Sequence, residues 1–285
     1  RRQQRPGQDL VARWRLGLAA AGALLLSACS GGQETVTVTS VVTSEVTEAP
    51  ASVPDAQLLL DATVAHVESI YGGQLGVATV RNEGPVAAGF TAPSPAWSTI
   101  KVPIAIAAMR AFPGLEEDAR AAVSASDNAA AQRLYDAVGA GPVDGILDQV
   151  GLATGLNTEP LRSEFSTYGQ TQLSVVDEAV LAGQLACVEG AGPVLALMGQ
   201  VDPSQSYGLG TIGALFKGGW GPDTAGAYQV RQFGLVPRGD GALAPVAFTA
   251  LPADGTYETG QAMLSAAAET LAADPMQLPV AACQP

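Results

Sequence analysis

Strand-like segments stand near both ends of the folded part of this chain, with a block of helices between them. That order constrains the fold more than any other feature. Residues 55–71 carry apolar positions at helical spacing (Leu58, Leu59, Leu60, Val64, Val67, Ile70). Residues 74–80 and 86–90 read as two strands about the turn Arg81-Asn82-Glu83-Gly84-Pro85. Helices are expected over 98–113, 116–123, 126–138, 143–150, 174–187 and 194–198. Strands follow over 215–217, 227–237 and 244–251, with Gly239-Asp240-Gly241 as a turn, and a helix over 260–272 closes the chain. Residues 151–173 show no period and read as a long loop, which in a compact domain often carries function. The class is α/β in the α+β sense: one antiparallel sheet drawn from both chain ends, flanked by helices, with an inserted helical lobe. Hydrophobic residues make up 47% of the chain, enough for a sizeable core.

The helical block opens on Trp97-Ser98-Thr99-Ile100-Lys101, ahead of the apolar run Val102, Ile104, Ile106, Ala107, Ala108, Met109. Residues at i and i+3 share a helix face, so Ser98 and Lys101 are expected to meet. A serine hydroxyl needs a base beside it to become a nucleophile, and a lysine kept from water can lose its proton and serve. Lysine usage sharpens this: Lys101 and Lys217 stand against twelve arginines. Arginine does not readily deprotonate, so a lysine kept at this place points to proton chemistry. The one histidine, His66, lies in an amphipathic helix and reads as a surface residue. Counts of histidine and cysteine leave little for a zinc site, and no cofactor is expected. A net charge of -13 argues against a nucleic-acid partner.

Arg13-Trp14-Arg15, the apolar run Leu16 to Leu26, and Leu26-Ser27-Ala28-Cys29 resemble a bacterial lipoprotein signal. The resemblance implies a lipid on Cys29, membrane attachment and an extracytoplasmic location. Residues 30–54 are rich in Thr, Val, Ser and Pro and read as a flexible tether. The organisation is then signal peptide 1–29, tether 30–54 and folded domain 55–285. With Cys29 lipidated, Cys187 and Cys283 remain. In an oxidising compartment they are expected to form one disulfide, the alternative being two buried thiols. Such a bridge contributes about 4–5 kcal/mol in the chain-entropy model.

Two further motifs bear on Ser98. Ser126-Asp127-Asn128 opens a helix, and Lys217-Gly218-Gly219-Trp220 ends an expected strand. Taken in the order Ser-x-x-Lys, Ser-Asp-Asn, Lys-Gly-Gly, the chain resembles the penicillin-recognising serine enzymes, the class A β-lactamases and D,D-peptidases. It looks most similar to β-lactamase-like lipoproteins of high-GC Gram-positive bacteria. The resemblance implies Ser98 as nucleophile, Lys101 as its base, and Ser126 and Lys217 as a proton relay. It further implies Asn128 as a substrate-amide contact, with the Ser98 and Trp220 N–H groups, beside Gly219, as an oxyanion hole. The implied substrates are β-lactams or peptidoglycan stem peptides, and a monomer is expected. Three departures stand out. Ser98 and Ser126 are 28 positions apart, a shortened interval. Gly218 lacks the hydroxyl that would meet a substrate carboxylate, a role Arg231 on the next strand is expected to take. Glu164 is a candidate for the deacylating base, but its loop lacks the family's spacing. The other reading is a catalytically weak or silent lipoprotein that binds cell-wall material or a protein partner.

Overall fold

The computed structural model describes residues 56–285, so the signal, Cys29 and the tether lie outside the described residues. Helix α1 (Ala56–Tyr71) buries Ala56, Leu60, Thr63 and Val67, one stripe at helical spacing. It leads into strands β1 (Gln74–Arg81) and β2 (Gly84–Gly89). The short strand β3 (Ser94–Pro95) and a 3-10 turn (Trp97–Ile100) precede helix α2 (Lys101–Ala111). Helices α3 (Glu116–Ser124), α4 (Asn128–Val138) and α5 (Ala140–Gln149) complete the first part of the lobe. After the long loop, β4 (Gln172–Leu173) pairs with β3, and helices α6 (Val175–Gln184) and α7 (Gly192–Met198) follow. Strands β5 (Leu215–Pro222), β6 (Tyr228–Pro237) and β7 (Leu243–Leu251) and helix α8 (Tyr257–Ala273) end the domain.

The main sheet has the order β2-β1-β7-β6-β5 and is antiparallel throughout. β1 from one end of the domain pairs with β7 from the other, as the order of elements requires. Strands β6 and β7 are buried along almost their whole length, because the sheet is covered on both faces. One face carries α1 and α8, packed on Val77, Val230 and Phe248. The other carries α6 and the lobe, whose centre is the almost fully buried helix α2.

Strand β5 is longer than expected. The glycines that look like a turn, Gly218, Gly219 and Gly221, continue the ladder to Pro222 opposite Tyr228. Tertiary contact explains them. A Cβ on Gly219 would stand 2.8 Å from Ala96 O and 2.9 Å from Ser98 N, and one on Gly221 would stand 2.6 Å from the Trp97 ring. Glycine here lets an edge strand lie directly against the Ser98 turn.

Arg231 corrects the sequence expectation. Its β6 position places it on the lobe face of the sheet, opposite Gly219, with no exposed surface. It forms an ion pair with the equally buried Glu178 of α6 at 2.8 Å. Its remaining N–H groups donate to Ser94 O, Pro95 O and Leu173 O at 3.1, 2.8 and 3.0 Å. Every donor is spent inside the protein, so Arg231 does not reach a substrate. Glu178 Oε1 lies 2.5 Å from Thr99 Oγ1, which also sits 2.6 Å from Ala96 O. Burial pushes the Glu178 carboxyl up, and the Arg231 guanidinium opposes that shift. The pair grips both sides of the Ser98 turn, at Ser94-Pro95 and at Thr99.

Cys187 and Cys283 form a disulfide with Cα atoms 5.3 Å apart, tying the end of the α6 segment to the C-terminal tail. Replacing both by serine should lower stability by about 2–5 kcal/mol, read from the urea midpoint under non-reducing conditions. Arg231→Met leaves Glu178 buried without its counter-ion and should cost about 3–5 kcal/mol in the same measurement. A loss under 1 kcal/mol would mean that Arg231 is not held as described.

Candidate active site

The site lies where the lobe meets strand β5. Ser98 sits in the 3-10 turn rather than inside α2, with its side chain part-exposed. Trp97, immediately before it, adopts φ +52°, and Ser126 adopts φ +58°. Among the described residues these are the only non-glycine residues with left-handed backbone. A conformation costing of order 1–3 kcal/mol persists only where the surroundings enforce it, and such residues gather at functional sites. Trp97 is held by its ring against Gly221, by an edge-on contact with Phe165 at 5.1 Å, and by an Nε1–H bond to Gln229 Oε1 at 3.2 Å.

Asp127 caps α4 through Ala130 N, at 2.7 Å. Ser126 stands outside the helix, free to turn its hydroxyl toward β5, where Lys217 Nζ donates to it. Lys217 Nζ also donates to Gly218 O at 2.9 Å. Lys101 Nζ donates to Ser126 O at 2.6 Å and to Asn128 Oδ1 at 2.7 Å. The structure thus brings together Ser98, Lys101, Ser126, Asn128, Lys217, Gly219 and Trp220. It does not form the Ser98–Lys101 hydrogen bond expected from their spacing. The amine is drawn instead to the Ser126 carbonyl and Asn128 Oδ1.

Both lysines of the chain are buried here, Lys101 at 2% exposure and Lys217 at 0%. Burial lowers Lys101 to about 8, against a smaller opposing pull from Asp127. Burial also holds Lys217 well below the ordinary lysine range, and the Lys101 charge lowers it further. Two amines in one desolvated space resist being charged together, so a neutral amine that can take a proton is available near neutral pH.

A cleft of about 450 Å³ opens above Ser98. Glu164 lines it, but its carboxylate is exposed and paired with Arg162 at 2.9 Å. Its own backbone N–H and then the Arg162 side chain hold that carboxyl below the usual range. Glu164 makes no hydrogen bond to Ser98, Lys101 or Ser126 in this structure. Arg162 also donates to Pro222 O at 2.5 Å and lies 4.5 Å over the Phe165 ring, so the 151–171 loop is stapled across the end of β5. Sequence reasoning missed Glu178, Thr99 and Trp97, whose roles come from contacts distant in sequence. His66 is exposed on α1.

No protein-family profile matches the sequence, and no curated protein matches it. Solved structures do. A class A β-lactamase from Mycobacterium abscessus superposes with a TM-score of 0.61 at 16% identity, covering 75% of this chain and 98% of that one. A β-lactamase from Sphaerobacter thermophilus gives 0.61 at 19% identity over 78% and 99%. An ancestral class A β-lactamase gives 0.60 at 16% identity over 75% and 99%. At these identities the likeness speaks for architecture alone: the chain has the β-lactamase-like fold, with an antiparallel sheet flanked, among the described residues, by eight helices.

Proposed function

We propose that this protein is a serine hydrolase that works through an acyl-enzyme on Ser98, anchored outside the membrane by a lipid on Cys29. The observation that carries the reading is the Lys101–Ser126–Lys217 cluster beside Ser98: two buried amines of lowered proton affinity joined through one serine. Ser98 Oγ attacks a carbonyl carbon, its proton passing to the neutral Lys101 amine. Ser126, supported by Lys217, returns a proton to the departing group. The Ser98 and Trp220 N–H groups receive the developing oxyanion, and a single donor of this kind lowers a barrier by about 3–4 kcal/mol. Asn128 has its Oδ1 on Lys101, leaving its amide N–H₂ to meet a substrate carbonyl. β-Lactams and peptidoglycan stem peptides are the substrate classes in view, with the protein facing the wall as a monomer.

Release is the slow half of this cycle. Glu164, the acid on the loop at the cleft, is neutralised by Arg162 rather than set beside Ser98. Acyl-enzyme therefore accumulates and decays slowly, as in a penicillin-binding protein rather than a fast β-lactamase.

Ser98 should be labelled covalently by a fluorescent penicillin or by p-nitrophenyl acetate, and Ser98→Ala should abolish labelling. Absence of label with both reagents would sink the acyl-enzyme reading and leave the cleft as a binding site. The acylation rate should climb with pH as Lys101 loses its proton, levelling above about 8. Lys101→Arg, which keeps the charge but cannot deprotonate, should slow acylation by about 100-fold or more. A pH-independent rate between 6 and 9 would remove Lys101 as the base.

A further inference from the structure

We infer that, among the substrates of this acyl-enzyme, the site prefers an uncharged ester or amide whose departing side is a flat apolar group over a β-lactam or stem peptide that carries its carboxylate there. The inference rests on the acyl-enzyme reading of Ser98. Of the side chains lining the cleft, the charged ones are Lys101 and Glu164. Lys101 points its N–H groups at Ser126 O and Asn128 Oδ1, and as the neutral base of the reaction it brings no charge to an anion. Lys217 lies beneath the surface, fully buried. Arg162 at the rim is engaged by Glu164 and Pro222 O, and Arg231 is locked into the core on Glu178.

The wall next to Lys217 offers an anion nothing either. Gly218 brings no side chain. A Cβ there would meet Tyr207 Oη at 3.6 Å and Gln232 Cγ at 3.7 Å. Gln232, paired with Gly218 across β5 and β6, is fully buried. Its amide is spent on Tyr207 O at 2.9 Å and Leu209 N at 2.8 Å. Further along β5 the cleft wall is aromatic. Trp220 and Tyr228 line it, and both pack on Tyr257, at 5.3 and 5.8 Å between ring centroids. A carboxylate brought here would lose its hydration without gaining a counter-ion, against the field of a chain carrying -13. A neutral ring or alicyclic group would lose only apolar hydration and gain the aromatic faces.

The step is an ordinary acyl transfer. Ser98 Oγ bonds to the carbonyl carbon, the bond to the departing oxygen or nitrogen breaks, and the Ser98 proton leaves on that atom. Water later cleaves the ester on Ser98 and releases the acid.

Benzylpenicillin and its methyl ester share one reactive ring and differ in this charge alone. Acylation of Ser98, followed by intact mass against Ser98→Ala, should be about tenfold or more faster for the methyl ester, the equivalent of one uncompensated charge contact. Trp220→Arg, which sets a guanidinium into the aromatic wall, should shift the rate ratio several-fold toward the free acid. A free acid that reacts as fast as its ester, or a ratio unmoved by Trp220→Arg, overturns the inference. No adduct from either reagent would instead overturn the acyl-enzyme reading on which it rests.

Discussion

The ion pair between Arg231 and Glu178 is the contact on which the site's geometry depends. Both side chains are fully out of water, and removing two charges from water costs several kcal/mol per ion unless hydrogen bonds replace hydration. Here they do. The guanidinium bonds to carbonyls on both strands of the small β3–β4 sheet, and the carboxylate reaches Thr99 inside the Ser98 turn. One pair thus joins the sheet (β6), the lobe (α6) and the chain on either side of Ser98. Its worth is in fixing these parts relative to one another more than in net stability.

With that frame fixed, the local strain at the site becomes intelligible. Trp97 and Ser126 both line one cleft with left-handed backbone, the first immediately before the Ser98 hydroxyl and the second carrying a hydroxyl of its own. Trp97 is pinned by Gly221 and Phe165, and Ser126 by the amines on either side. Positioning is supplied by packing in advance and need not be assembled when a substrate arrives.

Much of the architecture was legible in the chain. The order of strand-like and helical segments gave a sheet from both ends, because β1 and β7 can pair only if the helical block is set aside. The cysteine count pointed to Cys187–Cys283. The cluster of motif residues could also be found, since serine, lysine and asparagine at those spacings have few other reasons to coexist with so little lysine elsewhere. Three things could not be read. The fate of Arg231 was hidden, because strand alternation tells which residues share a face but not which face meets the cleft. The reach of β5 was hidden, because its glycines mimic a turn and their reason is Trp97 and Ala96, far away in sequence. The missing Ser98–Lys101 hydrogen bond was hidden, because i, i+3 spacing brings the two residues to one face but does not show that Ser126 O and Asn128 Oδ1, more than twenty residues on, compete for the amine.

The burial of both lysines has a practical side. A domain normally carries many surface amines, and reagents that modify them report little about any one place. Here no lysine amine of the described domain stands at the surface. Amine-directed crosslinkers, dyes and biotinylation reagents will therefore find little purchase on the folded domain. Modification of Lys101 or Lys217 becomes a gauge of how often the cleft opens, with no other lysine to obscure the signal.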